Sequence, residues 1–130
     1  MEKTLKKLGD AELEIMLVLW EGKAPLTASC ILQQLKGRRD WALSTLMTVL
    51  ARLVEKGFVA CDRSTRTNYY TALIGEKEYK SFEGRSFLNK LHRGSLPDLV
   101  AGLYDSRAIG NAELDELRAL IDSLEDGRNG

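Results

Sequence analysis

The 130-residue sequence has one histidine, two cysteines and two prolines, and its 19 Lys and Arg are balanced by 19 Asp and Glu. Each shortage excludes something. Cys30 and Cys61 stand alone, without a CxxC pair or a Cys/His cluster. Neither a disulfide framework nor a zinc site is indicated, and both thiols are expected free and reduced. The lone histidine, His92, lies in a helical stretch beside Lys90 and Arg93, where a surface or capping role is expected rather than general-base work. There is no glycine-rich phosphate loop and no nucleophile elbow, and the acids of "DELRALIDSLED" are spread as a solvated helix face. The expectation is therefore not an enzyme, with no cofactor, no metal and no small-molecule substrate evident. No run approaches the roughly 18 apolar residues of a membrane span, and the polar opening "MEKTLKKLGD" lacks the apolar core of a signal peptide. The cytoplasm is the expected compartment.

The absence of net charge at first argues against a polyanionic partner, since such binders carry a basic excess over the domain that touches phosphates. The charges are not evenly spread, however. Residues 1–72 hold 11 Lys and Arg against 8 Asp and Glu, and residues 73–130 hold 8 against 11. The N-terminal part tolerates polyanions, and the C-terminal part has another task.

What is present is helical periodicity, interrupted once. In "GDAELEIMLVLWEGK", Leu13, Met16, Leu17 and Trp20 fall at helical spacing behind Gly9 or Asp10 as a start. After the breaker "EGKAPL", Thr27 is placed to cap "TASCILQQLKG", which Gly37 ends. The connector "GRRDW" leads into a third helix, Ala42 to Lys56, with Leu43, Leu46, Val49, Leu50 and Leu53 on one face and Gly57 as its stop. The period then changes. "FVACDRSTRTNYYTAL" consists of two short β-prone runs about a polar tip, which reads as a hairpin. Strand alternation turns Tyr70 inward and Tyr69 outward, or the reverse in the other register.

Three helices followed by a hairpin make a winged helix-turn-helix, a fold whose second helix of the pair enters the DNA major groove. On the third helix Ser44, Thr45, Met47 and Thr48 are the candidates for base contact. Hydroxyls donate or accept, and a Thr methyl or a Met side chain packs on a thymine methyl. Arg52 suits phosphate. So do Arg63 and Arg66 at the hairpin tip with Asn68 and Tyr69, and Arg38 and Arg39 with Lys36 ahead of the helix.

Beyond Gly75 three more helical patterns follow, "EKEYKSFEGRSFLNKLH", "LPDLVAGLY" and "NAELDELRALIDSLED". Their apolar stripes, Tyr79, Phe82, Phe87, Leu88 and Leu91, then Leu99 and Leu103, then Leu114, Leu117, Leu120, Ile121 and Leu124, are too small a core for a monomeric domain. Pairing with a second copy supplies what is missing. A homodimer also suits a reader of palindromic DNA, because two recognition helices then engage together. The expected organisation is a mainly α chain with one small hairpin. Residues 1–74 form a winged helix-turn-helix DNA-binding domain, 75–126 a helical dimerisation domain and 127–130 a tail.

Several of these stretches together, "LGDAELEIMLVLWE", "DWALSTLMTVLARLVEKGFV", "YYTAL", "FLNKLHRGSLPDLV" and "ELDELRALI", make the chain resemble the BlaI/MecI/CopY family of bacterial transcriptional repressors over nearly its whole length. The resemblance implies a homodimer on double-stranded operator DNA with inverted-repeat symmetry, shutting off resistance or stress genes. It places the family's base contacts at Ser44, Thr45, Met47 and Thr48, and its backbone contacts at Arg52 and the wing. MecI-like members have Lys and Arg where Ser44 and Met47 stand, so bidentate guanine contacts are not expected there. Members linked to β-lactam sensing are cleaved at an Asn-Phe bond through a membrane sensor protease, and the corresponding bond here is Gly102–Leu103. CopY-like members bind metal through a C-terminal cysteine cluster, and no cysteine follows Cys61. Relief by proteolysis or by a partner signal is the expectation. The competing reading is a winged-helix protein interaction module without sequence-specific DNA binding.

Overall fold

A computed structural model describes residues 5–22 and 24–129. The elements run α1 (Asp10–Gly22), α2 (Ala28–Leu35), α3 (Leu43–Glu55), β1 (Val59–Asp62), β2 (Tyr69–Ala72), α4 (Glu76–His92), α5 (Leu96–Asp105) and α6 (Asn111–Asn129). Contacts divide the chain into two compact units, Met1–Glu83 and Gly84–Gly130.

In the first unit, local chemistry fixes where each helix starts and stops. The carboxylate of Glu12, at the third position of α1, reaches back to accept the Gly9 N–H at 3.0 Å, which is one half of a capping box. Thr27 caps α2 by accepting the Cys30 N–H at 3.1 Å. Gly57, with φ +83°, ends α3: its N–H donates to Val54 O, and the Phe58 N–H donates to Leu53 O at 2.9 Å. That pair of bonds is a Schellman motif, and only glycine adopts its left-handed turn without strain.

α1, α2 and α3 pack together and onto the hairpin. Leu46, Leu50 and Leu53 of α3 are sealed against Ile15, Met16 and Ile31 in one core. Leu43, expected on this inward stripe, is instead 48% exposed. It is the first residue of α3, and because Cβ atoms tilt toward the helix N-terminus its side chain overhangs the end of the helix rather than the core. The α1 stripe also differs from the sequence reading. Ile15, Met16, Val18 and Leu19 are buried, whereas Leu13, Leu17 and Trp20 are half-buried. α1 meets α2, α3 and β2, so it buries a broader and rotated face.

β1 and β2 pair antiparallel, with Cys61 opposite Tyr70 and Asp62 opposite Tyr69. Leu26, in the stretch read as a breaker, adds a bridge on the far side of β2, exchanging both backbone hydrogen bonds with Tyr70 at 2.7 and 3.0 Å. Tyr70 is thereby held on both edges and is 4% exposed, whereas Tyr69 is 39% exposed. Alternation thus resolves to Tyr70 inward.

Tyr79 and Phe82, expected on the apolar stripe of the C-terminal helices, instead pack on the core of the first unit, and the first turns of α4 fall in that unit because Tyr79 anchors them there. Its ring is 1% exposed and lies 5.9 Å from Phe58 and 6.0 Å from Trp20, and its hydroxyl accepts the Leu8 N–H at 2.8 Å. Burial raises the Tyr79 hydroxyl above its ordinary pKa against the Leu8 hydrogen bond, and the Glu83 carboxylate adds to the rise.

In the second unit, Arg93 (φ 51°) and Gly94 (φ 80°) turn the chain into Ser95, whose hydroxyl caps α5 by accepting the Asp98 N–H at 3.1 Å. Glu113 repeats the device of α1, accepting the Gly110 N–H at 2.9 Å at the start of α6. That bond holds the Glu113 carboxyl below the ordinary glutamate range. The stretch named as a tail, 127–130, is helical in α6 through Asn129. One glycine at 127 weakens a helix by only about 1 kcal/mol, and Arg128 in the last turn complements the helix dipole. Gly130 lies outside the described residues.

Candidate nucleic-acid interface

The geometry of α3 brings the four base-contact candidates together. Ser44, Thr45, Met47 and Thr48 are all exposed on its first half, and Ala51, Arg52 and Glu55 continue the same surface. Met47 is 38% exposed, so it is not a core filler. The Thr48 hydroxyl donates to Ser44 O at 3.0 Å, which leaves its methyl and the oxygen lone pairs to face outward. Ala42 leads into α3 without a side-chain cap.

Beside α3 the hairpin presents Arg63, Ser64, Thr65, Arg66 and Thr67, every one exposed. Two hydrogen bonds give the tip a shape. The Asp62 carboxylate accepts the Ser64 N–H at 2.9 Å, and the Thr65 hydroxyl donates to Thr67 O at 2.8 Å. Hydrogen bonding from Ser64 holds the Asp62 carboxyl below its ordinary range. Tyr69 lies on the exposed side of β2, and Asn68 is half-buried at its start.

Arg38 is exposed and Arg39 is not comparably available. The Arg39 Nε donates to Glu14 Oε2 at 2.6 Å, and its guanidinium sits 5.6 Å from the centre of the Trp41 ring. Arg39 thus ties α1 to the turn that leads into α3. A second tie lies at the other end of α3, where the Lys56 ammonium donates to both oxygens of Glu12 at 2.7 and 2.9 Å. Glu12 is 7% exposed. Burial pushes its carboxyl up, but Lys56, the Gly9 N–H and the Arg52 charge outweigh that and hold it below the ordinary glutamate value. Sequence reasoning missed both ties, since Glu14 to Arg39 spans 25 residues and Glu12 to Lys56 spans 44.

In the second unit no described residue is buried. Phe87, Leu91, Leu103, Leu120, Ile121 and Leu124 are between 37% and 64% exposed, and Leu88, Leu99, Leu114 and Leu117 are half-buried. The Gly102–Leu103 bond lies inside α5 with both residues exposed, and a Cβ at Gly102 would meet nothing within 4 Å. His92 Nδ1 lies 2.8 Å from Asp98 Oδ2, which joins the end of α4 to the first turn of α5. Among the described residues no group of three or more His, Cys, Asp or Glu is placed to hold a metal ion, and no helix is long and apolar enough to cross a membrane.

Three helices, an antiparallel hairpin after the third, and an exposed polar face on that third helix define the first unit as a winged helix-turn-helix. The Penicillinase repressor family matches residues 8–123, and the chain belongs to it. The chain is 27% identical over 121 residues to the methicillin resistance regulatory protein MecI of Mammaliicoccus sciuri, covering 93% of this chain and 98% of that one. It is 28% identical to the penicillinase repressor of Bacillus licheniformis (92% and 93% covered) and 32% identical to the transcriptional regulator BlaI of Mycobacterium tuberculosis (95% and 88% covered). Among solved structures, the DNA-binding domain of the repressor BlaI in solution matches with a TM-score of 0.51 at 31% identity, over 60% of this chain and 94% of that one. The monomeric form of Bacillus licheniformis BlaI in complex with the blaP half-operator matches with a TM-score of 0.50 at 31% identity, with the same coverage.

Proposed function

We propose that this chain is a DNA-binding transcriptional repressor that occupies a palindromic operator as a homodimer. The observation that carries the reading is the joint surface of α3 and the hairpin. Ser44, Thr45, Met47 and Thr48 form a compact, nearly uncharged face, with Arg52, Arg63 and Arg66 exposed around it. The division of labour is that arginines hold phosphates while short side chains let the backbone approach the base edges. With no Lys or Arg among the four readers, thymine methyls are better partners than guanine. That the related BlaI forms a complex with a half-operator supports operator DNA as the partner.

Homodimerisation is carried by the part of the expected 75–126 helical domain that lies in the second unit, beyond Glu83. Its support is the apolar surface of the second unit: Phe87, Leu91, Leu120, Ile121 and Leu124 are all at least 45% exposed in the single chain. A surface of this kind marks an interaction site, and a second copy offers the matching stripe. Relief follows from proteolysis at Gly102–Leu103 by a membrane sensor protease, or from a partner signal, either of which would uncouple the two halves of the dimer. Cleavage inside α5 requires its local unwinding first.

Random-site selection with the full-length protein, followed by gel shifts across a salt series, tests the reading. The expected product is an inverted repeat with half-sites about one DNA turn apart, bound with steep salt dependence. Recovery of no preferred sequence at low salt would overturn it in favour of a protein interaction module.

A further inference from the structure

The groove between α3 and the hairpin holds chemistry that DNA reading does not use. Cys61 and Tyr70 are paired across the hairpin and so share one face, and Arg63, just past the end of β1, lines the same groove. Together with Met47, Val54 and Glu55 of α3 they line a cavity of about 250 Å³. Cys61 is free and half-buried. Tyr70 is 4% exposed, and its hydroxyl has the Cys61 thiol and Asn68 as polar neighbours. A buried phenol calls for a hydrogen-bond partner and a thiol is a weak one, so this hydroxyl has capacity to spare toward the cavity.

The volume is below the roughly 300–1,000 Å³ of sites that take drug-sized ligands, so the groove admits only a small group. It is lined by one cation, Arg63, and one anion, Glu55. The complement of that pair is a zwitterion, and the reactive atom beside it is a thiol.

We propose that Cys61 is a modification site for a small disulfide whose halves each carry an ammonium and a carboxylate, and that the mixed disulfide releases the chain from DNA. Cys61 gives its proton to solvent and its sulfur attacks one sulfur of the reagent. A new S–S bond forms to Cys61 as the reagent's own S–S bond breaks, and the other half leaves as a thiolate with the electron pair. Cys61 is oxidised and the departing half is reduced, so no further oxidant is needed. The retained half sets its carboxylate toward Arg63 and its ammonium toward Glu55. Met47 and Arg63 line the same groove, one assigned above to bases and the other to phosphate, and the adduct obstructs both. The chemistry stands on the groove alone, whereas its consequence rests on the repressor reading.

The test uses full-length protein carrying Cys30→Ser, which removes the exposed cysteine of α2, with cystine as the probe. Peptide mass mapping is expected to find the adduct on Cys61. Cystine should react several-fold faster than dithiodipropionate, which offers only the carboxylate, or cystamine, which offers only the ammonium. The adduct, with its circular dichroism unchanged, should bind the selected duplex at least about tenfold more weakly, as a mismatched base pair would. Dithiothreitol should restore binding, and Cys61→Ser protein that retains Cys30 should stay bound throughout. An unmodified Cys61, equal rates for the three reagents, an unfolded adduct, or an adduct that binds as tightly as untreated protein each overturns the proposal. If untreated protein selects no duplex, the repressor reading fails instead, and the mass map with the three reagents decides the site by itself.

Discussion

Replacing Glu12 by alanine removes three hydrogen bonds at once: one from the Gly9 N–H at 3.0 Å and two from Lys56 at 2.7 and 2.9 Å. Loss of a helix cap costs about 1 kcal/mol. A hydrogen bond to a charged group contributes about 1.5–3 kcal/mol, and an exposed ion pair at most about 1. The Lys56 side chain is 31% exposed against 9% for Glu12, so the freed ammonium recovers much of its hydration. The net expectation is a loss of about 2 kcal/mol for Glu12→Ala. Glu12→Gln should lose about half of that, because its amide oxygen still accepts from Gly9. Urea unfolding followed by circular dichroism at pH 7 measures both, and the alanine variant should melt about 10 °C lower. The pH dependence has a definite sign. The folded Glu12 pKa lies below the ordinary glutamate value, so its stabilisation is complete above the unfolded pKa and is lost as pH falls through the lower, folded one. The difference between wild type and Glu12→Ala should therefore shrink in acid. An alanine variant within about 0.5 kcal/mol of wild type at pH 7, the ordinary range for surface substitutions, would refute the reasoning.

Arg39→Ala and Glu14→Ala should weaken DNA binding alike if Arg39 acts by holding the approach to α3, and gel shifts in which only Arg39→Ala matters would make it a phosphate ligand instead. A chain ending at Glu83 should fold and sediment as a monomer, while one ending at Leu73 lacks Tyr79 and should be less stable by about 3–5 kcal/mol, as for loss of a large buried aromatic; equal denaturation midpoints would contradict this. Arg63→Ala combined with Arg66→Ala should weaken binding to all sequences and reduce the slope of log affinity against log salt by about 2, read from anisotropy titrations.

The helices were legible because their signals are local. Thr27 ahead of α2, Gly37 and Gly57 at its end and that of α3, and the alternation of Tyr69 with Tyr70 all act within a few residues. What escaped was long-range. Periodicity marks Glu12 as a polar position on α1, and only the return of Lys56 in space makes it part of the interior. Leu26 reads as a loop residue until β2 comes alongside it, and Tyr79 reads as part of a later helix until the Leu8 backbone and Phe58 close around it. The exposure of Ser44, Thr45, Met47 and Thr48 on α3 is legible from outward spacing alone. The engagement of Arg39 by Glu14 is not, because composition gives a guanidinium no preference between a carboxylate and a phosphate.

The bond from Thr48 to Ser44 reaches further than its 3.0 Å. A hydroxyl carries a single proton, and here the helix has already claimed it, so a threonine that looks like a donor in the sequence presents none. The vocabulary of the α3 surface is accordingly smaller than its letters suggest, being richer in methyls and acceptors than in hydrogens to give. Two such proteins with the same letters at 44 and 48 but different χ1 angles at the threonine would address different bases.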